Sequence, residues 1–178
     1  MRATESFRIE PLSSVHDRSG FSSGSAPLDR YFREQASQDV KRRIATCFVA
    51  VNAQTGEVGG FYTLAATSIV LDALTPDIAK KLPRYPVVPA ALLGRLAVSG
   101  RCQGKGLGSA LLGDALIRTS RTEIGVFVML VDAKDDAAQR FYERYGFSLL
   151  PGEVRRLSLP IATALRQLAT MHVPTKRP

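Results

Sequence analysis

The stretch that most constrains this chain is residues 92–112. Leu92-Leu93-Gly94-Arg95-Leu96-Ala97-Val98 is an apolar run of strand length, and Ser99-Gly100-Arg101-Cys102 follows it. Gln103-Gly104-Lys105-Gly106-Leu107-Gly108-Ser109 then leads into the helical pattern that begins Ala110-Leu111-Leu112. Alternating glycines let a backbone turn sharply and approach a ligand with no Cβ in the way. Amides in such a turn converge on an anion, and the first turn of a following helix adds unpaired N–H groups and the positive end of its dipole. The stretch therefore suits a diphosphate. It is not Gly-x-x-x-x-Gly-Lys-Ser/Thr, and its spacing differs from Gly-x-Gly-x-x-Gly, so nucleotide-triphosphatase and dinucleotide readings are disfavoured. On the glycines alone, a strand–turn–helix connection without a ligand stays open.

At 178 residues the chain suits one domain, 1–178, with a sizeable core. No apolar run approaches the roughly 20 residues of a membrane span, and the N-terminus lacks the apolar segment of a signal peptide. A cytoplasmic protein with no membrane association is the expectation. Cys47 lies in an apolar strand pattern and reads as core, whereas Cys102 sits beside the loop. His16 and His172 are isolated, so no metal site is expected. The net charge of +8 is more than binding one diphosphate needs, and it points to an acidic partner such as nucleic acid.

Phe7 to Leu12 alternates as a strand does, and Ser13 to Pro27 reads as loop. Leu28 to Ala36 predicts a helix with Leu28, Tyr31, Phe32 and Gln35 on one face and basic residues opposite, running on to Lys41, Arg42 and Arg43. Ala45 to Val51 and Val58 to Val70 predict a hairpin about a turn at Gln54 to Glu57. Thr75 and Pro76 are fit to start a short helix, and Pro83 to Pro89 an extended connection. The central strand, loop and helix follow, the helix ending near Ser120. Val126 to Val131 reads as a strand buried on both faces. Ala137 to Tyr145 is helical and stops at Gly146. Phe147 to Leu150 and Val154 to Leu159 are the closing strands. Ile161 to Leu168 is a short helix, with 171–178 a frayed tail. This order implies an α/β fold of the α+β type, a central mixed sheet flanked by helices.

Two motifs resemble those of the GNAT acetyltransferase superfamily. Gln103, Gly106 and Gly108 match Gln/Arg-x-x-Gly-x-Gly/Ala, and Phe141-Tyr142-Glu143-Arg144-Tyr145-Gly146-Phe147 matches Phe-Tyr-x-x-x-Gly-Phe. The resemblance implies a GNAT-like fold and acetyl-CoA as co-substrate. Backbone groups of Leu96, Ala97 and Val98 would face the pantetheine. The loop of Gln103, Gly104, Lys105, Gly106, Leu107, Gly108 and Ser109 would hold the pyrophosphate. Attack of an amine on a thioester expels a thiolate, and a phenol of pKa about 10 stays protonated at pH 7 and can donate to it. Tyr142 is the candidate general acid; the alternative is that it only packs its helix. Tyr145, three residues on, is a lesser candidate.

Many members of that family carry a glutamate on the strand before the loop, but Leu92 to Val98 holds no carboxylate. The general base is unassigned. α-Amino groups ionise near 8 and lysine amines near 10.4, so the missing base favours an α-amino acceptor. The helix from Leu28 to Ala36, the segment Leu93-Gly94-Arg95-Leu96-Ala97-Val98 and the glycine loop together resemble the acetyltransferase toxins of type II toxin–antitoxin modules, the TacT/AtaT-like proteins. That resemblance implies acetylation of aminoacyl-tRNA, inhibition of translation, a homodimer and a ribbon-helix-helix antitoxin. It does not indicate which amino acid is preferred. Arg95, inside an apolar strand, is either paired with a carboxylate in the core or open to the acceptor, contacting RNA. Lys80, Lys81, Arg84, Arg33, Arg42 and Arg43 are candidates for an RNA-binding surface. The alternatives are an acetyltransferase of a small amine or a protein N-terminus, and a non-catalytic nucleic-acid-binding module on the same scaffold.

Overall fold

The apolar runs become strands and the periodic segments become helices. The computed structural model describes residues 5–171. In chain order it contains β1 (Phe7–Pro11), α1 (Ala26–Glu34), α2 (Ala36–Lys41), β2 (Thr46–Asn52), β3 (Val58–Val70), α3 (Pro76–Ala79), β4 (Val87–Val98), α4 (Leu107–Ser120), β5 (Val128–Asp132), α5 (Asp136–Arg144), β6 (Ser148–Leu149), β7 (Arg156–Pro160) and α6 (Ile161–Met171). The strands form a seven-stranded sheet in the order β1-β2-β3-β4-β5-β7-β6. β1, β2 and β3 pair antiparallel, as do β5, β7 and β6. The neighbours β4 and β5 are joined through α4, the crossover that parallel strands need, so the sheet is mixed as expected. The expected frayed tail lies outside the described residues, apart from the helical backbone of Met171, and so does His172.

Contacts group the chain into two units, Met1–Ala65 with Leu93–Ala115 and Ala66–Leu92 with Leu116–Pro178. In the first, α1 lays its apolar stripe on the hairpin of β2 and β3. Phe32 stacks on Phe61 with centroids 4.2 Å apart, and Phe21 meets both rings edge-on. Val49, Val51, Val58 and Ala97 complete that core. The single helix expected over residues 28–36 is broken at Gln35. The bend lets Ala36 and Val40, on α2, reach the same core as Phe32. The hairpin turn is held by Asn52, whose side-chain oxygen accepts from the N–H groups of Gln54 and Thr55, and Gly56 takes φ +74°.

In the second unit Val128, Met129, Leu130 and Val131 are all buried, as a strand covered on both faces requires. Ile69, Leu74, Val88, Ala90 and Leu150 surround Val128 and Leu130. Thr75 occupies the N-cap of α3 without a side-chain hydrogen bond. The strand expected at Phe147 to Leu150 shortens to two residues because Phe147 and Leu150 turn into the interior. α6 starts directly after β7 and runs three residues further than expected. Among the described residues, no helix is long and apolar enough to cross a membrane and no group of His, Cys, Asp or Glu is placed to hold a metal ion.

Candidate active site

The glycine loop is shaped by two left-handed residues. Gly104 has φ +73° and Gly106 φ +83°, a region that a Cβ makes costly. A Cβ at either position would meet no atom within 4 Å, so conformation rather than crowding demands glycine there. α4 begins at Leu107, and Ala110 N–H donates to Gly106 O at 3.1 Å. The residues before Ala110 form the helix's first turn, whose amides stand at the positive end of the dipole. These residues fit a diphosphate. Leu107 is buried, so its side chain serves the core and only its amide serves the loop. Gly108 and Ser109 lie in the first turn of α4.

Gln103 contributes differently from a ligand-binding side chain. Its Nε2 donates to Val98 O at 2.9 Å and to Ser23 O at 2.8 Å. It thus ties the loop both to the end of β4 and to the segment before α1. Gly100 N–H donates to Ser22 O, and Ser99 N–H to Gly59 O. Ser23 is fixed in turn by the buried Asp29, which accepts from both its N–H and its hydroxyl. Ser22, Ser23 and Asp29 were not among the sequence candidates; the Ser-rich run ahead of a helix with Asp in its first turn was the available signal. Gly59 and Gly60 were also missed. A Cβ on Gly60 would lie 2.9 Å from Ala97 O and 2.8 Å from Leu111 Cδ1, so this strand glycine allows β3 to approach β4 below the loop. Lys105 and Arg101 flank the loop, paired with Glu5 and Glu57.

On β4, Ala97 is buried, while Leu96 and Val98 are half-buried. Arg95 is half-buried, and its guanidinium carbon lies 3.5 Å from the centroid of the Tyr31 ring. Among the described residues no carboxylate pairs with it. Of the two sequence readings, the core ion pair is therefore absent. Arg95 instead lines a cavity of about 350 Å³ with Pro27, Leu28, Arg30, Tyr31 and Gln35. Tyr31 donates its hydroxyl to Asp39 at 2.9 Å. Burial, and then that hydrogen bond, hold its phenol well above the ordinary range, so it is a fixed neutral platform for the arginine.

Tyr142 stands on α5 in the second unit, 7% exposed. Asp135 caps the helix, accepting from Ala138 N–H at 2.8 Å. The other end is a Schellman turn. Gly146 takes φ +89°, its N–H donates to Glu143 O, and Phe147 N–H donates to Tyr142 O. Desolvation pushes the Tyr142 phenol up to about 12. Tyr145 stacks at a tilt on Phe141 and is less buried.

The basic candidates divide between the units. Lys80, Lys81 and Arg84 are exposed in the second; Lys80 pairs with Asp77 at 2.8 Å. Arg33, Arg42 and Arg43 are exposed in the first. Arg33 is engaged internally, donating to Phe21 O at 2.9 Å. Arg43 takes φ +59°, and Arg42 ends α2.

Residues 43–149 match the acetyltransferase (GNAT) domain. The chain is 37% identical over 150 residues to a protein named tRNA-acetylating toxin from Mycobacterium tuberculosis, covering 83% of this chain and 88% of that one. It is 32% identical over 165 residues to the probable toxin TacT of Sinorhizobium fredii, covering 87% and 91%. The crystal structure of a tyrosine-to-phenylalanine mutant of KacT superposes with a TM-score of 0.83 at 25% identity, covering 90% of this chain and 98% of that one. With more than half its length matched to the domain and a relative this similar over most of both proteins, the chain belongs to the GNAT acetyltransferase family.

Proposed function

We propose that this chain is an acetyl-CoA-dependent N-acetyltransferase that acetylates the α-amino group of aminoacyl-tRNA and acts as a toxin by blocking translation. The observation that carries the reading is the loop at Gln103–Ser109, with Gly104 and Gly106 in left-handed conformations at the start of α4. It is the kind of diphosphate cradle that a CoA ester requires. The acceptor follows from kinship to a tRNA-acetylating toxin, from a net charge of +8, and from the lack of any carboxylate base on Leu92 to Val98 of β4. An α-amino group esterified through its carboxyl ionises lower than a lysine amine and needs less help from a base.

In this reading the loop amides hold the pyrophosphate of acetyl-CoA, and the backbone of Leu96, Ala97 and Val98 faces its pantetheine. Acetyl-CoA supplies the thioester carbonyl. The acceptor nitrogen bonds to that carbon as the carbon–sulfur bond breaks; the nitrogen's proton passes to solvent, and Tyr142 donates its phenolic proton toward the departing sulfur and recovers one from solvent. Arg95, its guanidinium over the Tyr31 ring, and the exposed Lys80, Lys81, Arg84, Arg42 and Arg43 attract the RNA. The residues act as one acetyltransferase domain, in the cytoplasm, as a homodimer held in check by a ribbon-helix-helix antitoxin.

The experiment is incubation with labelled acetyl-CoA and total charged tRNA, deacylated tRNA, or a lysine peptide. Label on charged tRNA, lost on deacylation, is expected. Label on the peptide or a small amine alone would replace this reading with an ordinary amine acetyltransferase. No transfer to any acceptor would leave a nucleic-acid-binding module.

A further inference from the structure

Between β3 and β4, within the second unit, the chain builds a groove of about 550 Å³ lined by Leu71, Leu82 and Pro86 together with Asp72, Lys80, Arg84 and Tyr85. That volume is in the range of small-ligand sites. Its frame is stiff. Leu71 N–H donates to Pro86 O, closing the segment at its base, and Tyr85 N–H donates to Pro83 O in a tight bend. Prolines at 83 and 86 fix the backbone on both sides of Tyr85, and a residue before proline is held extended. The bend presents an aromatic ring that is 66% exposed. Among the described residues neither Lys81 nor Arg84 has a carboxylate partner. An exposed ring on a proline-braced backbone beside the unpaired Arg84, with an apolar lining and one carboxylate, is what an unpaired nucleotide needs: a stacking face, phosphate neutralisation, and an acceptor for an exocyclic amino group.

We propose that this groove binds the unpaired 3′ end of the tRNA, with a base stacked on Tyr85, backbone phosphate on Arg84, and a base amino group donating to Asp72. The inference rests on the aminoacyl-tRNA reading above. That substrate ends in CCA, three nucleotides without a partner strand, each base carrying an exocyclic amino group. An acidic peptide would meet the same cation but gives no reason for an exposed aromatic ring on a proline-braced backbone.

The test is fluorescence anisotropy with an acceptor-stem minihelix RNA ending in an unpaired ACCA, the same stem with a blunt end, and one ending in unpaired uridines. The wild-type chain is expected to bind the ACCA form about tenfold or more tighter than the blunt one. Tyr85→Ala should bring ACCA binding down to the blunt level, while Tyr85→Phe keeps it, because stacking needs only the ring. Asp72→Asn should relax the preference for ACCA over uridines, since an amide can also donate to a uracil carbonyl. Melting temperatures of the variants should match wild type, which separates these losses from misfolding. A wild-type overhang preference that Tyr85→Ala leaves intact overturns the groove and leaves the tRNA reading standing. Failure of the wild type to bind any minihelix or acetylate charged tRNA overturns both. Poly-glutamate binding that is lost in Tyr85→Ala while RNA binding persists would make the groove a protein-docking surface and overturn the proposal.

Discussion

Phe147 meets Tyr142 ring to ring, centroids 5.5 Å apart and planes at 62°, although four residues lie between them in sequence. The contact is a consequence of Gly146. At φ +89° the chain reverses at the end of α5 and lays Phe147 back on the last turn, the apolar contact that accompanies a Schellman cap. Phe-Tyr-x-x-x-Gly-Phe is thus one mechanical unit: Phe141 and Phe147 wall the Tyr142 ring on two sides, and the glycine makes the second wall reachable. Gly146→Ala forces a Cβ into the left-handed region at about 1–2 kcal/mol. Its Cβ would also run into the Gln167 amide, but that side chain can swing away. A fall in melting temperature of roughly 2–8 °C is expected, with turnover lowered and acetyl-CoA affinity kept. An unchanged melting temperature would mean that the turn does not depend on glycine.

Gly106→Asp combines strain at φ +83° with a negative charge facing the pyrophosphate. Acetyl-CoA affinity should fall by at least ~10-fold, about 1.4 kcal/mol, by calorimetry. Gly106→Ala carries the strain without the charge and should fall between that variant and wild type. Equal affinity in all three would remove the loop from the cofactor site.

The parts of the site that were legible in the sequence are those where backbone conformation and residue type are tied together. Gly104, Gly106 and Gly146 had to be glycine for their φ, so the loop and the end of α5 could be read directly. β3 and the end of α4 were readable because strand and helix periods differ so clearly. What escaped were tertiary ties. Nothing local in Gln103 says that its amide will bridge Val98 and Ser23, because the second acceptor lies 80 residues away. Nothing local to Gly60 says that a Cβ there would lie 2.9 Å from Ala97 O, 37 positions along the chain. Arg95 could be read as ion-paired in the core or open to the acceptor, and only the structure removes the first, by placing its guanidinium on Tyr31 with no carboxylate partner among the described residues. Arg33 is an RNA-surface candidate by charge and position in the helix, and its bond to Phe21 O, 12 residues away, is a tertiary tie of the same kind.

That last distinction separates two kinds of basic residue. Reversing Lys80 and Lys81 to Glu should weaken tRNA binding and flatten the plot of log affinity against log salt by about 0.7–0.9 for each phosphate that is no longer neutralised. The fold should be unaffected, since both side chains are exposed. Arg33→Ala should instead lower the melting temperature, because Phe21 O loses its donor, with little change in the salt slope. Unaltered tRNA affinity in the Lys80/Lys81 variant would remove this surface from the RNA site.

Tyr142→Phe deletes one hydroxyl and keeps the ring between Phe141 and Phe147, so packing should hold. Burial pushes the phenol up to about 12, against about 10 in an unfolded chain. The phenol is therefore neutral and able to donate at any physiological pH. A thiol ionises near 8.5, so complete transfer to a solvated thiolate would be uphill. Donation becomes favourable only where the sulfur's charge develops in the same dry surroundings, which also raise the thiol's affinity for the proton. The loss should accordingly fall on turnover, ~10²–10⁴-fold, and not on acetyl-CoA affinity. No alkaline limb from this group should appear in the rate profile below about pH 10. The same shift predicts a stability effect of definite sign. A folded pKa above the unfolded one contributes stability that is whole below pH 10 and is lost as pH rises through about 12, so wild type should weaken over that window more steeply than Tyr142→Phe. The variant should also relieve growth arrest while remaining folded, and Tyr145→Phe should be milder. Near-normal turnover in Tyr142→Phe would leave the loop in place as the cofactor site and assign the proton to water or to Tyr145.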